Sequence, residues 1–255
     1  MERPLILATN DDGILAPGLA ALVDVVKSLG EVIVVAPDSP QSGKGHAITI
    51  DQPLRINEVE AFGAIKAYEC SGTPVDCVKL AMNVIKKDRP FDLCVSGINH
   101  GSNASINIIY SGTLSAAMEA SLEGVKSIGF SLLDYAFDAD FRPSQPFIRQ
   151  ICQRVLDSDL GQSKLLNVNI PVGTIRGIKV CRQAEARWVE EFQQGTDPRG
   201  KHYYWLTGRF EDGSAEEDTD LKALEEGYIS MVPSMHDLTH YSALQELKDF
   251  ENIGI

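Results

Sequence analysis

Apolar positions in the first two thirds of the chain fall into two kinds of segment. Leu5–Ala8, Val32–Ala36, Leu93–Val95 and Ile128–Leu133 are short and almost uninterrupted, as strands buried on both faces of a parallel sheet read. Leu166–Ile170 alternates apolar residues with Asn and predicts a half-buried strand nearer a sheet edge. Between these runs, Gly18–Leu29, Pro74–Lys87, Leu114–Glu123 and Gln145–Leu156 carry apolar residues at helical spacing. Thr73 predicts an N-cap, with Pro74 at the first helical position and Asp76 in the first turn; Thr113 is the cap predicted for the next helix and Gly124 its stop. Strand and helix alternate as far as Pro171, which predicts an α/β fold with a doubly wound, mainly parallel sheet.

The rhythm changes after Pro171. Gly177–Arg182 and His202–Leu206 read as strands, Phe210–Asp218 as a solvated acidic loop, Leu221–Glu226 as a helix, Tyr228–Val232 as a strand and Ala243–Phe250 as a final helix. The expectation is one domain over residues 1–255, with a core of about 1–172 and a C-terminal hairpin and helix extension of about 173–255. An aromatic hairpin carrying Tyr203, Tyr204 and Trp205 suits either an oligomer contact or packing on its own body.

At 255 residues and 44% hydrophobic, the chain has enough apolar surface for a core without disulfide or metal staples. No apolar run reaches the roughly 18 residues of a membrane span, and the stretch after Met1–Pro4 is too short for a secretory signal, so a cytoplasmic protein is expected. The net charge of −13 is a poor basis for binding duplex nucleic acid. It still allows a small anionic substrate, provided a divalent cation reverses the local field. Cys70, Cys77, Cys94, Cys152 and Cys181 contain no CxxC pair and read as reduced, mainly core residues.

In an open α/β sheet the ligand site lies beyond the carboxyl ends of the strands. Those ends deliver Thr9-Asn10-Asp11-Asp12-Gly13, then Pro37 to His46, then Ser96 to Asn103 and Tyr110-Ser111-Gly112-Thr113. The adjacent carboxylates Asp11 and Asp12 repel each other in a crevice unless a cation lies between them or one keeps a proton. Alone, that segment reads equally as a turn; the two other polar strand ends favour a cation. Ser42 and Asn99 add neutral oxygens, and an all-oxygen donor set suits Mg²⁺ or Mn²⁺ better than Zn²⁺. Ser111–Thr113 at a helix start offers hydroxyls and a positive dipole end for phosphate, or simply a cap. His46 and His100 lie in the same loops, each either a proton donor or a histidine satisfied by the backbone.

Rival chemistries lack their signatures. There is no GxGxxG after the first strand, no GxxxxGK[ST] and no GxSxG. A phospho-aspartate mechanism of the haloacid-dehalogenase kind needs a second Asp two positions after the first, where this chain has Gly13.

Taken together, Thr9–Gly13 with Ala16-Pro17-Gly18, Val35–Asp38 with Ser42-Gly43 and Gly45-His46, Ser71–Val78, Ser96–Asn103 and Tyr110–Thr113 closely resemble the SurE family of survival nucleotidases. Leu166–Pro171, Tyr203–Trp205 and Glu226–Ser230 extend the likeness. The resemblance implies a Rossmann-like core and a cytoplasmic phosphatase of nucleoside monophosphates; 5′-monophosphates are the expected substrates, and 3′-monophosphates and short polyphosphate are left open. It implies one divalent metal ion per subunit on Asp11, Asp12, Ser42 and Asn99, with Asp11 and Asp12 the catalytic pair. Asn103, Ser111, Gly112 and Thr113 would line the phosphate site of a homodimer or homotetramer. The alternative is a nucleotide or polyphosphate sensor that binds without hydrolysis.

Overall fold

The computed structural model describes residues 2–86, 88–136, 138–161, 163–214 and 216–253. In chain order the elements are β1 (Leu5–Thr9), α1 (Pro17–Val26), β2 (Glu31–Pro37), β3 (Ile56–Val59), β4 (Lys66–Cys70), α2 (Pro74–Leu80), β5 (Leu93–His100), α3 (Gly112–Leu122), β6 (Lys126–Leu132), α4 (Gln145–Asp157), β7 (Leu165–Ile170), β8 (Ile178–Val180), β9 (Ala186–Val189), β10 (Phe192–Thr196), β11 (His202–Leu206), β12 (Arg209–Asp212), α5 (Asp220–Glu225) and β13 (Ile229–Ser234). Nine of the strands form one sheet in the order β3-β4-β2-β1-β5-β6-β7-β13-β8. The six from β4 to β7 run parallel, while β3 and β13 are antiparallel to β4 and β7.

The unbroken apolar runs have a direct cause. On β1, Ile6 and Ala8 face a layer that includes Leu19 and Leu22 of α1 and Ile148 of α4. Leu5 and Leu7 face the opposite layer, with Cys77 and Val78 of α2 and Ala116 and Ala120 of α3. A strand with helices on both faces has no solvent side on which to place polar residues. The chain leaves β1 toward β2 and returns to the other side of β1 as β5, so the sheet's switch point lies between β1 and β5.

Several elements differ from their expected form. β7 is buried along its whole length and lies between β6 and β13, rather than half-buried near an edge. Asn167 and Asn169 are tolerated there because they bond each other and the Asn103 segment. Thr73 and Asp76 cap α2 reciprocally, Asp76 N–H to Thr73 Oγ1 at 3.1 Å and Thr73 N–H to Asp76 Oδ2 at 2.9 Å. The helix then widens into a single π turn over Ala81–Ile85; the predicted end, Lys87, lies outside the described residues. Ser111, not Thr113, caps α3 by accepting Leu114 N–H at 3.1 Å, and Gly124, at φ +84°, ends it.

Beyond residue 172, β8 and β13 join the main sheet, while β9 pairs with β12 and β10 with β11 to make an arm. The predicted acidic loop therefore opens inside a strand, β12; Ala215 within it lies outside the described residues. The predicted last helix is replaced by short 3₁₀ turns at Tyr241–Ala243 and Lys248–Asn252. Tyr241, Leu244, Leu247, Phe250 and Ile253 are all exposed, and without a surface to cover that stripe a helix lacks tertiary support. All five cysteines are free and buried. No described helix is long and apolar enough to cross a membrane.

Candidate active site

The carboxyl ends of β1 and β5, with the loop after β2, open into a cavity of about 520 Å³. Asp11, Asp12, Ser42, Asn99, Asn103 and Ser111 line it together. Gly112 and Thr113 sit behind Asp11 instead. A Cβ on Gly112 would lie 2.6 Å from Asp11 Cβ, and the Thr113 hydroxyl donates to Asp11 Oδ1.

Local chemistry explains each position. Asn10 closes the turn after β1: its Nδ2 donates to Gly13 O at 3.0 Å, and its Oδ1 accepts Gly13 N–H at 3.2 Å. That turn holds the two aspartates at the strand end. The backbone oxygen of Asp11 accepts Gln41 N–H at 2.7 Å, which ties the Ser42 loop to β1. The β5–β6 register slips between Ser96 and Asn99, and β5 continues past the slip as far as His100. The Asn99 amide nitrogen donates to His100 O at 3.1 Å and Gly101 O at 2.9 Å, leaving Oδ1 as the uncommitted atom. Asn103 is anchored from the sheet, its N–H on Asn169 Oδ1 and its Nδ2 on Ser131 Oγ, both at 2.8 Å.

The two histidines part company. His46 Nε2 lies 2.9 Å from Glu119 Oε2, and the buried Glu119 also takes the Lys79 ammonium, so His46 anchors the Ser42 loop and does not line the cavity. His100 does line it, with Nδ1 2.9 Å from Ala136 O and its ring edge-on to Phe141. Trp188 and Glu191 of the arm, with Leu206 and Thr207, form the opposite wall. Sequence reasoning missed these four, because nothing local shows that the arm folds over the strand ends. A tryptophan in a polar stretch was the one available signal.

The donor set suits a hard divalent cation. Asp12 Oδ2 is buried and has no hydrogen-bond partner among the described residues, an unfavourable state for a carboxylate unless something else satisfies it. Burial, reinforced by the charge of Asp12 and opposed by the Thr113 hydroxyl, pushes the Asp11 carboxyl up to about 6. Burial also raises Asp12, against the influence of His100. Among the described residues no cluster of three or more His, Cys, Asp or Glu side chains is placed to hold a metal; this site joins two carboxylates to a hydroxyl and an amide.

A stability prediction follows for the metal-free protein. With Asp11 at about 6 in the fold and near 3.8 when unfolded, the native state binds more protons between those values. Stability then falls as pH rises through that window and stays lowered above it, by at most about 3 kcal/mol from this group. In chelator, the wild type should lose more melting temperature between pH 4.5 and 7.5 than Asp11→Asn does. Equal losses in the two proteins would remove the buried charge from the account.

Comparison with known proteins identifies relatives over nearly the whole chain. A sequence profile described as "Survival protein SurE" matches residues 6–190. The 5′-nucleotidase SurE of Flavobacterium psychrophilum is 55% identical over 98% of this chain and 99% of its own length. The corresponding protein of Christiangramia forsetii is 57% identical, covering 98% of this chain and 97% of its own. The crystal structure of the SurE protein from Aquifex aeolicus superposes with a TM-score of 0.85 at 40% identity, covering 98% of this chain and all of that one. By profile, full-length identity and fold, this chain belongs to the SurE family.

Proposed function

We propose that this protein is a divalent-cation-dependent 5′-nucleotidase that releases phosphate from nucleoside monophosphates. One observation carries the cation dependence. The cavity is lined by three carboxylates, Asp11, Asp12 and Glu191, and by no Lys or Arg among the described residues. A phosphate dianion entering such a site is repelled unless a cation compensates it. The names of the close relatives support the nucleotide substrate.

Asp11 and Asp12, with the Ser42 hydroxyl and Asn99 Oδ1, are the residues that would hold Mg²⁺ or Mn²⁺. Such an ion would supply Lewis-acid polarisation of a phosphoryl oxygen and orientation of an attacking water. Thr113 keeps Asp11 aimed by donating to Oδ1, and the close approach allowed by Gly112 places Asp11 at the positive end of α3. Asn103 and Ser111 line the cavity and contact the phosphate, while Gly112 and Thr113 act from behind Asp11 and do not reach it. Rate acceleration then comes chiefly from positioning and preorganised charge. Carboxylates committed to a cation are poor free nucleophiles, so a covalent phospho-aspartate is not part of the reading.

The arm hairpin exposes Phe192, Tyr204 and Trp205, and the last segment exposes Leu244, Leu247 and Phe250. These two apolar patches support a homodimer or homotetramer.

The test is phosphate release from nucleoside 5′- and 3′-monophosphates and short polyphosphate with Mg²⁺, Mn²⁺ or chelator. The expected result is release from 5′-monophosphates with either metal and none in chelator; the other substrates define the range. Binding of nucleotides without release under any condition would replace the enzyme by a sensor.

A further inference from the structure

Three segments far apart in sequence meet on one carboxylate behind the cavity. Asp220, the first residue of α5, is fully buried. Its Oδ2 accepts Ser105 N–H at 2.7 Å, and its Oδ1 accepts the N–H groups of Ala184 and Leu221, each at 2.9 Å. The Ser105 hydroxyl donates to Ala184 O at 2.7 Å, which closes a ring between the two segments that Asp220 grips. Ser105 has φ +53°, a left-handed conformation that a non-glycine residue keeps only where its surroundings over-determine it. Burial raises the Asp220 carboxyl, opposed by its backbone N–H partners.

Each gripped segment leads to a cavity wall. Ser105 opens the 3₁₀ turn Ser105–Ile109, which carries Asn107. Ala184 lies two residues before β9, which carries Trp188. The Trp188 indole N–H donates to Asn107 Oδ1 at 2.9 Å, and both side chains line the cavity. The phosphate end has a separate anchor, since Asn103 is held from the sheet by Asn167, Asn169 and Ser131.

We propose that Asp220 is a positioning residue for the base-facing wall of the cavity: by holding Ser105 and Ala184 together it sets Asn107 and Trp188 to receive the planar heterocycle of a nucleotide, while leaving the phosphate end to the sheet. The inference rests on the nucleotidase reading.

The test compares full-length Asp220→Asn with wild type on a nucleoside 5′-monophosphate and on ribose 5-phosphate, which lacks the base, both with Mn²⁺. Asp220→Asn should raise KM for the nucleotide about tenfold with kcat within about twofold, and change kcat/KM on ribose 5-phosphate by no more than about twofold. Trp188 emission, read alone in a Trp205→Phe background, should shift to the red. Ser105→Ala removes one link without disturbing the buried carboxylate. It should raise the same KM about threefold, and it decides the question if Asp220→Asn does not fold. Equal losses on both substrates, or unchanged KM with unchanged emission, would overturn the proposal. If wild type releases phosphate from neither compound, the nucleotidase reading fails, and the emission shift still decides whether Asp220 sets the wall.

Discussion

Asp12→Asn should lower kcat/KM on nucleoside 5′-monophosphates by about a thousandfold while leaving the melting temperature at or slightly above that of wild type. A thousandfold corresponds to about 4 kcal/mol of lost transition-state stabilisation, the scale of removing one fully engaged charged group from a preorganised site. The side chain keeps its size, so the turn closed by Asn10 and Gly13 is undisturbed. What disappears is the negative charge on a carboxylate whose Oδ2 is buried without a described partner. Burial already disfavours that charge, so the neutral amide is no worse for the fold. Steady-state kinetics with Mn²⁺ beside thermal melts in chelator separate the two effects. Wild-type turnover in Asp12→Asn would remove Asp12 from the cation site.

Gly112→Ala should cost about a hundredfold in activity and about 1–3 kcal/mol in stability. At an ordinary helix position the same change stabilises by up to about 1 kcal/mol, because glycine loses more backbone freedom on folding. Here the added methyl would stand 2.6 Å from Asp11 Cβ and 2.9 Å from Asp11 Oδ2. Neither side can yield cheaply. Ser111 fixes the start of α3 through the Leu114 N–H, and Thr113 and Gln41 hold Asp11. The displaced group is therefore a carboxylate of the proposed cation site or the helix end beside it. Measured activity and melting temperature near wild type would show that the approach of α3 to Asp11 is loose, and the role given to Gly112 would fall.

Elements whose neighbours cover them completely were legible in the chain; those shaped by distant partners were not. β1 and β2 read correctly because burial on both faces demands apolar residues throughout. β7 misled because Asn167 and Asn169 look solvent-facing, whereas they serve the Asn103 segment more than 60 residues away. β3, β9 and β12 are only four residues long, held by a single antiparallel neighbour each, and carry little periodic signal of their own. Ser111 and Thr113 are both good capping residues; the choice between them is made by Asp11, 102 positions earlier, which takes the Thr113 hydroxyl.

The candidate site divides in the same way. Asp11 and Asp12 follow a strand end, Ser42 lies in the loop after one and Asn99 is the penultimate residue of β5, and the topology alone carries those to one edge of the sheet. His46 stands on such a loop too, yet Glu119 on α3 draws it out of the cavity. The arm wall with Trp188 and Glu191 depends on contacts between residues about 80 apart, such as the Trp188–Asn107 hydrogen bond. Local patterning contains no trace of such a contact.

The central claim is that phosphate binds here only with a divalent cation beside Asp11 and Asp12. Calorimetric titration of inorganic phosphate into the protein tests it most directly, once in chelator and once in saturating Mn²⁺, without relying on turnover. The account predicts no detectable binding in chelator and a saturable heat with Mn²⁺ that Asp12→Asn abolishes. Phosphate binding of equal affinity in chelator would contradict it, because three carboxylates without a cation cannot attract a dianion.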